Sequence, residues 1–401
     1  MQDSPMWISA ASAEVLCLRI STPLSFHFRA SHGRLRIAYT QRSMRCSCGF
    51  VRAAWNAIRL AINSTRMYKV FIPEPLPNIP QVAFIADRSQ EGNKLFQTIP
   101  PDAYKNIFAR VLDATQADIV IAPHEYVQLR NHPSYLARCQ DTARMAHIPL
   151  LVSAYQDDAR PIALPGTFVL RPSAYRTALS AREILMPAYV EDVGAAWGIE
   201  PLPKGEKPIV SFVGKADFSS LGERIRYVIR NYAVRHGPRK QGIYFRRHAL
   251  SSLAADPRIV LNTIVRKRYS AHRNTIEVPP AQARAEYIRS IQHAHFTLAP
   301  GGDGNYSLRF YETLALGRIP ILIDTDMPLP LQDRIDYNAC IVRVPWRDIA
   351  HIGDYVIRFF NDRSENSFIE AQKNARNVFG SYLYMPRFLE HLFADILPKR
   401  G

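Results

Sequence analysis

Residues 294–324 read AHFTLAPGGDGNYSLRFYETLALGRIPILID. An apolar run ends at Pro300, three glycines follow within four positions, a helical pattern starts after Ser307, and a second apolar run opens at Ile319. Strand, glycine-rich turn, helix, strand is the repeating unit of a parallel sheet, so this stretch predicts an α/β fold. Gly301, Gly302 and Gly304 predict a backbone that takes positive φ or lies close against a ligand. Ser307 stands at the N-cap position, and a helix N-terminus offers its N–H groups to an anion, with Arg309 in the first turn. Arg309 and Glu312, three residues apart, share a face. Together they offer a cation for a diphosphate and a carboxylate for sugar hydroxyls. Asp303 sits between the glycines. Turns of this kind also occur with no ligand at all.

Working outward, the same alternation predicts strands at 68–72, 81–86, 118–122 and 149–153, with further strands at 167–170 and 183–185, and helices over 102–114 and 134–146. A stretch rich in Pro and Gly, 187–208, reads as a linker. The second series is a strand at 209–213, a helix at 221–236, a strand at 259–264, a helix at 281–292, a strand at 295–298, a helix at 307–316, and strands at 319–323 and 340–344. Helices at 346–361, 364–379 and 386–397 follow. The expected organisation is an atypical segment 1–66, an acceptor-side domain 67–190, a linker 191–207, a donor-side domain 208–385, and a C-terminal helix and tail 386–401. Two doubly wound α/β domains facing across a cleft account for this pattern.

The chain has 401 residues, 47% apolar, which excludes a disordered chain. Its formal charge of +16 raises nucleic acid or a membrane surface as a partner. The charge is concentrated in two places. Residues 1–66 carry nine Arg, no Lys and two acids; residues 224–273 carry thirteen Lys and Arg against the single Asp256. The rest of the chain is slightly acidic. Segment 1–66, rich in Arg and Ser, has two readings: a targeting or membrane-surface element with a short basic amphipathic helix at 51–62, or residues upstream of a translation start at Met67. No apolar run is long enough to span a membrane, so the expected location is cytoplasmic or peripheral to a membrane. Cys46 and Cys48 lack the companions of a zinc site, and Cys139 and Cys340 read as free core thiols.

Residues 294–324 resemble the signature of the exostosin glycosyltransferases (glycosyltransferase family 47): an apolar strand ending in Ala-Pro, a glycine-rich turn, an S-x-R-x-x-E helix and a G-x-I-P strand. Ser307, Arg309, Glu312, Gly317, Ile319 and Pro320 occupy those places. Residues 329–336 and 337–345 are similar to the family's following segment. Residues 211–215 (SFVGK), with Gly214, Lys215 and Arg226, resemble its F-x-G-K…R segment. The N-terminal half matches more loosely, through 69–73, 117–123 (ADIVIAP) and 183–187 (EILMP). Many members carry Arg in a P-R-G turn where this chain has Gly301.

The resemblance implies a GT-B architecture of two Rossmann-like domains. It also implies inverting transfer from a nucleotide sugar, a UDP-sugar above all, to a glycan or other hydroxyl acceptor, with no cofactor required. Gly214, Lys215, Arg226, Gly301, Gly302, Asp303, Gly304, Ser307, Arg309 and Glu312 are the expected donor-side residues. The Arg-rich block 224–273 suits a diphosphate or an acidic glycan. The one D-x-D triplet, Asp324 to Asp326, reads first as a solvated turn, so no metal ligand is assigned. Candidate bases for the acceptor hydroxyl are His124, Glu125 and Asp157, at strand ends of the first domain. Two alternatives stand beside this reading: a catalytically inert exostosin-like subunit, and a basic nucleic-acid-binding protein. No recognised nucleic-acid-binding fold surrounds the RKRYSAHR run, so no specific nucleic acid is expected.

Overall fold

A computed structural model describes residues 7–9, 27–31, 34–38, 67–86, 99–267 and 279–397. Residues 1–65 cluster apart from the rest and contain a three-stranded antiparallel sheet: β1 (Trp7–Ser9), β2 (His27–Ser31) and β3 (Arg34–Ala38), with β3 central. The expected amphipathic helix at 51–62 and most of the RKRYSAHR run lie outside the described residues.

From residue 66 onward the chain builds two parallel sheets. The first contains β4 (Tyr68–Phe71), β5 (Phe108–Val111), β6 (Ile119–Ile121), β7 (Leu150–Ser153), β8 (Thr167–Arg171) and β9 (Glu183–Leu185), in the order β5-β4-β6-β7-β8-β9. The second contains β10 (Ile209–Lys215), β11 (Val260–Arg266), β12 (Phe296–Leu298), β13 (Ile319–Asp324) and β14 (Val342–Pro345), in the order β11-β10-β12-β13-β14. Every pairing in both sheets is parallel. Their central strands, buried on both faces, are continuous apolar runs such as Ile119-Val120-Ile121 and Ile319 to Ile323.

Helices cover the sheets: α1 (Tyr126–Leu129), α2 (Pro133–Met145), α3 (Val193–Trp197), α4 (Leu221–Val228), α5 (Gly242–Ala254), α6 (Pro280–Gln292), α7 (Leu308–Ala315), α8 (Ile352–Asn361), α9 (Glu365–Val378) and α10 (Met385–Ile396). The last of these does not stay with the second sheet. Met385, Phe388, Leu389, Leu392 and Phe393 pack into one core with Tyr68, Val70 and Ile119 of the first. The chain's end therefore straps the two sheets together. Cys139 and Cys340 are buried free thiols, and burial pushes them up to about 11 and about 12.

Three local expectations fail. The segment 102–114 is not a helix: Pro101–Tyr104 is a single 3-10 turn and Phe108–Val111 is the edge strand beside β4. Its residues Tyr104 and Ile107, which read as a helical stripe, fill the core under α10 instead. Tertiary packing overrides a weak periodicity here. Residues 81–86 form turns rather than a strand, with the Val82 N–H on the Pro123 carbonyl at 2.8 Å. Helix α5 was hidden in the Arg-rich block. The 221–236 helix loosens at Val228 into a π-helical segment, Ile229–Val234.

The first sheet carries one buried ion pair, Arg171 with Glu183, both side chains 1% exposed. Arg171 also donates to the carbonyls of Arg160 at 2.8 Å and Asp158 at 2.6 Å, which fixes the loop after β7. Although burial alone pushes the Glu183 carboxyl up, the N–H groups of Ser180 and Ile162 and the Arg171 guanidinium hold it below the ordinary carboxylate range. Its stabilisation is thus fully present above the unfolded-state pKa and is lost as pH falls through the depressed one. Glu183→Ala leaves Arg171 buried and unpaired. It is expected to cost about 3–5 kcal/mol in urea unfolding, whereas Arg171→Met with Glu183→Leu costs much less.

Candidate functional site

In the second sheet β10 lies between β11 and β12, so the chain leaves β10 in opposite directions. The crevice beyond the carboxyl ends of β10 and β12 is a topological switch point, where open α/β sheets bind ligands. Val213 to Lys215 and the glycine-rich turn meet there. The carboxyl ends of both sheets open onto a cleft of about 510 Å³. Asp157, Asp158 and Tyr175 line it from the first sheet. Gly301 to Asn305 and Thr325 line it from the second, and Arg235, Arg239 and Lys240 form its rim.

Asn305 determines how these loops meet. Its N–H donates to Ser173 Oγ at 2.9 Å, and its amide Nδ2 donates to the Ala174 carbonyl at 2.8 Å. Thr325 Oγ1 donates to its Oδ1 at 2.7 Å, and Ser173 Oγ donates to the Asp157 carbonyl at 3.0 Å. Loops after β7, β8, β12 and β13 are stitched by one buried amide. A second tether joins Thr177 to Asp326 and Arg176 to the Met327 carbonyl.

The glycines act through space rather than through φ. None of Gly301, Gly302 and Gly304 takes a positive φ. A Cβ on Gly304 would lie 2.9 Å from the Asp157 backbone, so this residue lets the two halves touch. Gly242, at the start of α5, is equally constrained: its Cβ would come 2.2 Å from the Gly301 carbonyl. Ser307 holds the N-cap position of α7 and is buried, but its hydroxyl makes no capping bond.

Arg309 and Glu312 share a face, as their spacing predicts, and meet around Tyr287 behind the turn rather than lining the cleft. Arg309 is half-buried, lies 4.5 Å over the Phe212 ring, and donates from Nη2 to the Val213 carbonyl at 2.7 Å. Its Nε is buried with no partner, and desolvation, with Arg246 nearby, lowers its pKa. Gly214 makes room for it: a Cβ there would meet Nη2 at 2.8 Å. Arg246 donates to the carbonyls of Lys215 at 3.2 Å and Gly301 at 3.3 Å. Glu312 accepts from the Tyr287 hydroxyl at 2.5 Å and pairs with Arg284, which also pairs with Glu191. Lys215 pairs with Glu223. The expectation for Arg226 needs correction: it is exposed on α4, outside the cleft lining, because the core-facing positions of that helix are Tyr227 and Asn231.

Of the three base candidates, His124 is committed elsewhere. Its Nε2 accepts from the Leu76 N–H at 2.8 Å and its Nδ1 donates to the Pro80 carbonyl at 2.9 Å, so the buried ring pins the Pro-rich loop after β4. Neither nitrogen is left for an acceptor hydroxyl. Glu125 accepts the Tyr155 N–H at 2.9 Å, and burial raises its pKa. Asp157 lines the cleft. The cleft walls strip water from its carboxyl and the neighbouring Asp303 repels its charge, so its pKa is raised. In the D-x-D triplet, Asp324 meets Arg176 and Arg343, and Asp326 accepts from Thr177 at 2.6 Å. No cluster of three or more His, Cys, Asp or Glu with metal-holding geometry occurs among the described residues. No helix among them is long and apolar enough to cross a membrane.

Asn305, Tyr287, Arg284 and Gly242 are the site-building residues that sequence reasoning missed. Only Asn305, inside the quoted turn, carried a visible signal.

The exostosin GT47 domain matches residues 186–358. The Exostosin-1 homolog of Caenorhabditis elegans is 33% identical over 117 residues, 29% of this chain and 30% of that protein. Among solved structures, TarM superposes with a TM-score of 0.33 at 11% identity, over 69% of this chain and 54% of that one. Anabaena HepE in complex with UDP-glucose gives 0.31 at 9% identity, over 82% and 99%. This chain thus spans under a third of the curated relative and about half of TarM, and at such scores the fold rests on its own two parallel sheets and cleft. Residues 186–358, with the turn and helix described above inside them, are thus similar to the exostosin GT47 domain.

Proposed function

We propose that this protein transfers a glycosyl group, with inversion, from a UDP-sugar to a hydroxyl of a glycan. The observation that carries the reading is the half-buried guanidinium of Arg309, with a buried, unpartnered Nε, at the switch point behind the glycine-rich turn. A desolvated cation without a carboxylate bonded to it favours an arriving anion, and a diphosphate supplies one.

In this reading the diphosphate rests against Gly301 and Gly302, with Arg246 and Arg309 beneath and Arg239 and Lys240 at the rim. Negative charge grows on the leaving phosphate as the anomeric C–O bond breaks, so these fixed cations stabilise the transition state more than the bound donor. The acceptor oxygen forms the new bond to the anomeric carbon and its proton passes to a carboxylate oxygen of Asp157. The nucleoside diphosphate leaves. Glu312, Tyr287 and Arg284 hold the wall against which Arg309 is set, and no residue here is assigned to a metal. The basic rim suits an acidic acceptor.

Four outcomes test this. Asp157→Asn is expected to lower kcat by about 10²–10⁴-fold while leaving UDP affinity, measured by calorimetry, unchanged. The acid limb of kcat/KM is expected above the ordinary Asp value of about 3.9, since Asp157 must be ionised to accept a proton. Asp303→Asn removes the repelling charge and moves that limb to lower pH. Arg309→Gln removes the positive charge behind the turn and is expected to weaken UDP binding about tenfold or more. If Arg309→Gln keeps its melting temperature and its UDP affinity, the donor site is elsewhere.

A further inference from the structure

An amphipathic surface helix normally turns its apolar stripe to the core. Helix α4 and its π-helical continuation do the reverse. Leu221, Ile225, Val228, Ile229 and Tyr232 are 72%, 51%, 48%, 52% and 56% exposed. At about 100° per residue these five fall within one sector of roughly 100°. The opposite side anchors the element. Tyr227 packs on Phe218 at 4.9 Å between ring centroids, and buried Asn231 accepts the Gln241 N–H at 2.7 Å and donates to Gln241 Oε1 at 3.0 Å. The outward stripe is therefore built in by a polar lock, not left over from loose packing.

Charge defines what the stripe meets. Arg224 flanks it on one side, Arg226 and Arg230 on the other, all exposed and with no side-chain hydrogen bond or ion pair among the described residues. The one acid of the helix, Glu223, is taken by Lys215 and Ser219. Apolar side chains bordered by free guanidinium groups match the boundary between acyl chains and anionic headgroups. A second copy of the same face would bring arginine rim against arginine rim. We infer that α4 with its extension is a docking element for an anionic lipid surface. The helix leads directly into 235–240, whose Arg235, Arg239 and Lys240 rim the cleft, so docking holds the cleft mouth beside the bilayer. This is independent of segment 1–66 and of the donor chemistry.

The test is co-sedimentation of the full chain with phosphatidylcholine vesicles, with and without about one-third phosphatidylserine, at low and high salt. Wild type is expected to bind the anionic vesicles only, and less at high salt. Ile225→Asp with Val228→Asp is expected to weaken that binding about tenfold or more. Arg224→Gln, Arg226→Gln and Arg230→Gln together are expected to weaken it on the order of 100-fold. Melting temperature and UDP affinity stay unchanged, because every altered side chain is exposed. Absence of wild-type binding overturns the inference, and so does equal binding by both variants. Light scattering that shows Ile225→Asp with Val228→Asp abolishing a dimer, with no vesicle binding, overturns it in favour of self-association.

Discussion

One buried amide organises the cleft. Asn305 bonds to Ser173, to the Ala174 carbonyl and to Thr325, and Ser173 bonds on to the Asp157 backbone. Asn305, Ser173 and Thr325 are polar and buried, so leaving any of them unpaired costs more than the pair contributes on its own. Gly304 permits this arrangement by having no side chain where Asp157 passes. The cleft's width, and the placement of Asp157 opposite Asp303, follow from that contact.

A second constraint supports the first from behind. Arg171 is buried against Glu183 and spends its other donors on the carbonyls of Asp158 and Arg160. The loop that presents Asp157 is thus held from below by a desolvated ion pair and from the front by Asn305. Such a loop keeps a carboxylate in one place at the expense of mobility. On the other wall, Arg309 stacks on Phe212 and Gly242 lets α5 close on the turn, so cations are set into a floor of fixed geometry.

Periodicity made the second sheet legible almost throughout, because its strands are short apolar runs between strong breakers and its helix α7 has a wide apolar face. The first sheet was legible except at 102–114 and 81–86, where aromatic and aliphatic residues serve a core supplied by α10, nearly three hundred residues away. The glycine-rich turn and the shared face of Arg309 and Glu312 could be read directly from spacing. Asp157 could be named only as one of several strand-end groups. His124 looked equivalent until both ring nitrogens proved to hold the loop after β4. Arg226 was expected at the donor from its place in the F-x-G-K…R resemblance, which does not say which way that face of the helix points.

The sequence by itself determined that the chain alternates strands and helices, that a glycine-rich turn precedes a helix carrying Arg309 and Glu312, and that positive charge gathers in 1–66 and 224–273. Those are properties of neighbours along the chain, where propensity and spacing act. Only the tertiary structure decided that Arg309 and Glu312 lie behind the turn and not in the cleft, that Asn305 closes the two halves on each other, and that α4 turns its apolar stripe outward. Each of those depends on which partners satisfy a buried polar group, and the partners are far away in sequence.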